Sequence, residues 1–223
     1  MSDESFQKFR NLPFIFCLDL SSGELAESEY RHFSKSQRVV DGTEVALFDG
    51  KGSFVFANFA EQCSIVSEIE TYSQPKFSTV CFAPVKGVKP ETIAKKLCEL
   101  GISRIIPFFS ERSVVRWSGE KANKITFKLE VSVREAAMQS KNLFIPEVSK
   151  PLTFENMLAE VDSLAMADPA GTLYRSSISS LCVGPEGGFS DSEKELVSDK
   201  VRLPGNVLRA ETASVVAATL LTS

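Results

Sequence analysis

Leu181 to Glu193 reads LCVGPEGGFSDSE. Ser180 to Val183 has the length and apolarity of a buried strand. Ser190, with Glu193 three residues on, forms a capping box that opens a helix, expected to run to about Lys200. Gly184 to Phe189 is then a strand-to-helix loop at the carboxyl end of a parallel strand, the edge where open α/β sheets hold ligands. Its glycines let main chain approach a ligand closely and adopt positive φ. A phosphate cradle of the form G-x-x-x-x-G-K-[ST] needs a lysine. This loop has none, and Glu186 stands inside it. A carboxylate there repels phosphate and suits a neutral or cationic ligand, or one held through ribose and base edges. The competing reading is a tight turn that needs glycine for its shape alone.

Downstream, Leu203 to Ser223 reads LPGNVLRAETASVVAATLLTS. Pro204-Gly205-Asn206 is a second loop. Ala210 to Leu221 is a helix apolar nearly all round, which predicts burial, partly in a subunit interface. Arg209, Glu211 and Thr212 stand at its start, and polar groups buried there need partners or a ligand. Upstream, FSTVCFAPV, ISRIIPFF, Ser163–Ala167 and Ser179–Val183 read as strands. Pro90–Leu100, opened by proline and closed by Gly101, and Glu120–Ser140 read as helices. Strands alternating with helices predict an α/β domain with a largely parallel sheet.

Residues 12–66 have a different rhythm. FIFCLDL, TEVALFDG, GSFVFANF and CSIVSEI are short strand-like runs, and VALFDGKGSFVFANF is a hairpin over Asp49–Gly52. Ser21–Arg38 is polar and carries a short helix. This predicts a small barrel or sandwich. The polar stretch SEIETYSQPK (67–76) marks the boundary, giving domains 1–72 and 73–223.

The 223 residues suffice for one large or two modest domains. No apolar run approaches the ~20 residues of a membrane helix, and MSDESFQKFRNLPF carries no secretory pattern. The five cysteines, with no C-x-x-C spacing, read as reduced thiols and a cytoplasmic location. One histidine, His32, argues against a histidine-based metal site or a Ser/His/Asp triad, so no metal is expected. The net charge of −4 is unevenly spread. Residues 84–150 carry 13 basic and 7 acidic side chains, between flanks with 7 against 12 (1–76) and 5 against 10 (151–223). A basic band of this kind makes a local positive surface on an acidic protein, or a pair of solvated helix faces.

GPEGGFSDSE (184–193) followed by VLRAETA (207–213) resembles the signature pair of the RsmE family. These are SPOUT-class methyltransferases that modify N3 of a uridine in small-subunit ribosomal RNA. ELGISRIIPFFSERSVVRW (99–117), EAAMQS (135–140) and IPEV (145–148) follow the family's order and spacing. RHFSKSQRVVDGTEVALFDGKG (31–52) resembles its N-terminal PUA-like barrel. The resemblance implies a PUA-like small β-barrel joined to a trefoil-knotted SPOUT α/β domain, an exception to unknotted chains. It implies a homodimer that binds S-adenosylmethionine and acts on 16S ribosomal RNA or the small ribosomal subunit. The cofactor residues implied are Met166, Ala167 and Asp168 on one loop, Val183, Gly184, Pro185, Gly187 and Gly188 on a second, and Leu203, Gly205, Val207 and Leu208 on a third. A sulfonium joined to a neutral adenosine explains a glycine loop without lysine.

Arg209 is the candidate to stabilise negative charge on the uracil, and Glu186 the candidate proton acceptor or orienting group. Arg31, Arg38, Lys86, Lys89, Arg112, Arg116 and Lys141 are candidate RNA contacts. The chain departs from the family in three places. Leu203-Pro204-Gly205-Asn206 stands where the family has Leu-Gly-x-Arg. Lys141-Asn142 stands where it often has Gly-Arg. Residues 86–96 lack its usual acidic residue and glutamine. Two alternatives are a non-catalytic RNA-binding protein on this scaffold and a methyltransferase of the same class acting on transfer RNA.

Overall fold

The computed structural model describes Lys8, Phe9 and residues 11–223. The segment expected to lack a secretory pattern falls largely outside the described residues. Two compact units form. One takes the chain up to Pro75 together with Ala137–Ile145, and the other takes Lys76–Ala136 and Pro146–Ser223.

The N-terminal unit holds β1 (Phe14–Phe16), β2 (Glu44–Phe48), β3 (Ser53–Asn58), β4 (Ser64–Ile65) and β5 (Glu70–Thr71). The order is β1-β2-β3-β4, with β5 also on β3. β1 runs parallel to β2, whereas β2 and β3 form the expected antiparallel hairpin, Phe48 opposite Phe54. Asp49 closes it by accepting from the amides of Lys51 (2.7 Å) and Ser53 (3.0 Å), the usual work of a turn aspartate. One sheet face packs Ile15, Val45, Leu47, Val55 and Phe59 into a core. On the other, the rings of Phe14 and Phe48 stack at 3.9 Å and Phe54 is also buried. Burial on both faces explains why these strands read as continuous apolar runs. Helix α1 (Glu27–Arg31) passes into a π-helical turn, His32–Ser36. The late segment Ala137–Ile145 belongs to this unit through bonds from Gly52 N to Leu143 O (3.1 Å) and from Ile145 N to Gly50 O (2.9 Å).

The second unit is a parallel sheet with helices. Its elements are β6 (Thr79–Phe82), α2 (Pro90–Glu99), β7 (Arg104–Phe109), α3 (Gly119–Ser140), β8 (Glu147–Val148) and β9 (Leu152–Thr153). There follow α4 (Phe154–Glu160), β10 (Leu164–Thr172), β11 (Ser180–Val183), α5 (Asp191–Leu196), β12 (Asp199–Val201) and α6 (Ala210–Thr222). The order is β12-β10-β11-β6-β7-β8, with β9 on β7, and every pairing among the described residues is parallel. The expected alternation of strand and helix is therefore present. Helix α2 starts on Pro90 at its first turn, as its sequence predicts.

Two local expectations are corrected and one helix is added. The helix after Ser190 stops at Leu196 rather than near Lys200, and Asp199–Val201 is a strand on β10. Val197 turns into the core, 4% exposed, and Ser198 and Asp199 are poor helix formers, so strand pairing takes over. Strand β10 extends beyond Ala167 to Thr172, because a register shift lets it stay on β12 past an irregular stretch. Helix α4 was not read from sequence, although Thr153 caps it through Asn156 N (3.3 Å). Helix α6 buries the small row Ala213, Ser214, Ala217 and Ala218 with Leu221, packing on β6, β11 and α2, while Val215, Val216 and Leu220 stay half-exposed.

Candidate functional site

β10 and β11 are neighbours in the sheet, and β12 flanks β10. The irregular middle of β10 and the loops leaving the carboxyl ends of β11 and β12 enclose a cleft of about 800 Å³ within the second unit. From β10 come Ala167, Asp168 and Pro169. From β11 come Val183, Gly184, Pro185, Glu186, Gly187, Gly188 and Phe189. From the loop after β12 come Arg202, Leu203, Gly205, Asn206, Val207, Leu208 and Arg209, with Ala210 and Ala213 of α6 completing the wall. Met166, expected among these, does not line the cleft. It is 0% exposed and packs in the core with Cys81, Cys182 and Phe189.

The glycine loop is braced from behind. Phe189, 4% exposed, stacks parallel to Phe108 with centroids 6.2 Å apart and tilts against Phe154 at 5.8 Å. A Cβ on Gly184 would lie 2.8 Å from that Phe189 ring, so glycine here permits a close approach of ring to main chain. The capping box read from sequence is formed: Ser190 Oγ accepts from Glu193 N (3.2 Å), and Glu193 accepts from Ser190 N (2.9 Å).

Asp168 faces inward. Its carboxylate is 2.8 Å from the Lys194 ammonium and accepts from Ala170 N at 2.8 Å. Burial pushes its carboxyl up, but the bond to Lys194, the Ala170 amide and the charge of Lys194 and Lys200 outweigh it and hold it below the ordinary carboxylate value. This side chain is committed to the scaffold, so the loop offers a ligand mainly its main chain. By contrast, Glu186, Arg202 and Arg209 are exposed, line the cleft and make no ion pair among the described residues. Arg202 was missed from sequence because it lay just past a helix expected to continue to Lys200.

Beyond the cleft, Lys86 and Lys89 are exposed on the segment between β6 and α2. Arg112 and Arg116 are exposed on the loop after β7, where Arg112 donates to Gly187 O (3.1 Å) and Arg116 to Ser110 O (3.1 Å). In the N-terminal unit Arg31 pairs with Glu27 at 2.5 Å, and Arg38 takes a positive φ of 56°. Lys141, expected at the RNA, is drawn inward. Its ammonium donates to Leu12 O and lies 5.5 Å from the Phe14 ring centroid, and burial pushes its pKa down. No group of three or more His, Cys, Asp and Glu side chains that could hold a metal occurs among the described residues. No described helix is long and apolar enough to cross a membrane.

A lysine-free cleft at the carboxyl edge of a parallel sheet defines an α/β protein with a candidate ligand site where such sheets carry theirs. Comparison with known proteins makes this specific. A family model described as an RNA methyltransferase domain matches residues 73–222. The chain is 30% identical over 207 residues to ribosomal RNA small subunit methyltransferase E of Aquifex aeolicus, covering 86% of this chain and 90% of that protein. It is 27% identical to the protein of that name from Rickettsia conorii, over 87% of this chain and 86% of the other. Among solved structures, a ribosomal RNA small subunit methyltransferase E from Neisseria gonorrhoeae bound to S-adenosyl methionine superposes with a TM-score of 0.81. It shares 26% identity, over 94% of this chain and 96% of that one. The chain belongs to the RNA methyltransferase family and, within it, to the ribosomal RNA small subunit methyltransferase E family.

Proposed function

We propose that the protein methylates N3 of a uridine in 16S ribosomal RNA, using S-adenosylmethionine, as a homodimer in the cytoplasm. The observation that carries this reading is the three-loop cleft, in a chain whose relative from Neisseria gonorrhoeae is bound to S-adenosyl methionine. The fit is chemical as well as familial. The volume is in the range of small-ligand sites, the lining contains no lysine, and its glycines expose amides and carbonyls for a neutral adenosine. Two further features belong to the same proposal. The five short strands of the N-terminal unit are read as a PUA-like barrel. The C-terminal helix returns to pack on β11, β6 and α2 instead of on its sequence neighbour β12, the kind of return a trefoil-knotted chain makes.

When bound, S-adenosylmethionine supplies an electrophilic methyl group on a positively charged sulfur. The chain's own residues do the rest. Main chain at 167–168, 183–188 and 203–208 holds the cofactor and fixes its orientation, which replaces a bimolecular encounter by a positioned one. Arg209, at the head of α6 and without an ion pair among the described residues, donates N–H groups to the uracil carbonyls, where negative charge grows as N3 gives up its proton. Glu186, an exposed carboxylate on the glycine loop, accepts that proton or orients the base. Each unit contributes phosphate contacts of its own: Lys86, Lys89, Arg112 and Arg116 from the second, Arg31 and Arg38 from the first. The target uridine is presented unstacked, as single-base recognition in structured RNA requires. Mass-spectrometric mapping of methylated uridines in small-subunit RNA, from cells with and without the protein, tests the reading. Identical maps would refute it.

A further inference from the structure

Glu193 takes no part in the chemistry above and does not line the cleft. It is 5% exposed, yet its carboxylate accepts three hydrogen bonds. Ser190 N donates to Oε2 at 2.9 Å, which is the helix cap. The other two come from a distant segment, the loop after β7: Ser110 Oγ donates to Oε2 at 2.9 Å and Glu111 N to Oε1 at 2.8 Å. A capping box needs only the first of these. No cation shares the carboxylate among its described partners, so its charge is met by oriented N–H and O–H donors, which makes each bond short and directional.

The loop held this way is itself stiff. Ser110 N donates to Ser113 Oγ (3.0 Å), Ser113 N to Ser110 O (3.1 Å), and Arg116 to Ser110 O (3.1 Å). It touches the glycine loop a second time, through the bond from Arg112 to Gly187 O. A Cβ on Gly187 would meet Arg112 Cβ at 3.5 Å, so the two main chains lie side by side. Arg112 and Arg116 are the exposed cations of this loop, and Gly187 belongs to the cleft wall.

We propose that Glu193 is a positioning residue that couples RNA capture to cofactor capture, an inference that rests on the function proposed above. Its carboxylate clamps the arginine loop to the glycine loop. The guanidinium of Arg112 has donors left over after its bond to Gly187, and these meet phosphate. Phosphate engagement then restrains the glycine loop, and the second ligand meets a smaller ordering cost than the first. The coupling is reciprocal, so the cofactor tightens RNA binding by the same factor.

Calorimetry with S-adenosylhomocysteine, which cannot donate a methyl group, tests this in the absence and presence of saturating small-subunit RNA transcribed in vitro. Single-turnover methyl transfer is measured alongside. In the wild-type protein RNA should tighten S-adenosylhomocysteine about fivefold or more. Glu193→Gln should bring that factor within about twofold and slow single-turnover transfer about tenfold or more, the range in which misplaced groups cost rate. Ser110→Ala leaves the Ser190–Glu193 cap in place and should reduce coupling and rate in the same direction by a smaller factor. The inference is overturned if the wild type binds both ligands independently. It is equally overturned if Glu193→Gln only lowers the melting temperature while Ser110→Ala behaves as wild type, since Glu193 is then a helix cap and nothing more. A wild-type protein that takes up no S-adenosylhomocysteine and transfers no methyl group removes the proposed function itself, and this inference with it.

Discussion

The two longer loops of the cleft are built on opposite principles. Gly184–Phe189 is braced from behind by a buried ring stack and by the clamped loop after β7. Residues 204–207 are exposed, with Val207 at 88%, and main-chain bonds flank the loop from Arg202 N to Thr172 O and from Ala213 N to Arg209 O. The first loop is shaped largely by packing, with its partly exposed tip at 186–188 left for ligands to restrain, whereas the second stands mostly exposed at 204–207. Packing supplies more of the preorganisation on one side of the site than on the other.

The strongest way to break this contrast is Gly184→Val. The added side chain meets the Phe189 ring, which has no room to retreat, so saturable heat with S-adenosylmethionine should fall about 100-fold or vanish, with stability lower by about 1–3 kcal/mol. Next, Arg209→Ala should lower kcat about 10²–10³-fold, the scale of losing one donor to a developing anion, while cofactor affinity changes little. Unchanged turnover would take Arg209 out of the mechanism. Gly205→Ala sharpens the comparison from the other side. Its φ of +98° disfavours a side chain, at a cost of about 1–3 kcal/mol if the loop keeps its shape, but the space around it is open. A loop free to relax should show little loss in thermal stability and up to about tenfold weaker cofactor binding. An equal loss of stability in Gly205→Ala and Gly184→Val would mean that both loops are braced alike.

Charge reversal at Arg112 should weaken RNA binding and reduce the slope of log affinity against log salt by about 1–2. A slope identical to wild type would count against a phosphate contact there. The smallest effect concerns Asp168. Its carboxyl is held below the ordinary value, so it contributes stability in full above about pH 4, lost as pH falls through the folded-state value. Asp168→Asn should therefore cost stability in urea titrations at pH 7, with the gap to wild type narrowing at pH 3. A gap that widened in acid would contradict the assignment.

The glycine loop, the capping box, the β2–β3 hairpin and helix α2 were legible in the sequence because each is set by residues within one turn of each other. What escaped depends on distant partners. The carboxylate of Glu193 reads as a local cap, and only the fold brings Ser110 and Glu111 to it. Lys141 reads as an exposed cation in a basic band, but its positive φ of 58° and the carbonyl of Leu12 turn it inward. Arg202 was hidden by a false helix end, since the pull of β10 on residues 199–201 leaves no local trace.

The late segment Ala137–Ile145 gives the N-terminal unit a history during synthesis. Its partners in the hairpin, Gly50 and Gly52, emerge from the ribosome long before Leu143 and Ile145 do. At roughly 5–20 residues per second the intervening chain takes about 5–19 s to appear. The N-terminal unit therefore cannot be finished until residues 76–136 of the second unit have also been translated, and a gene cut at residue 75 would encode a fragment lacking its own last piece.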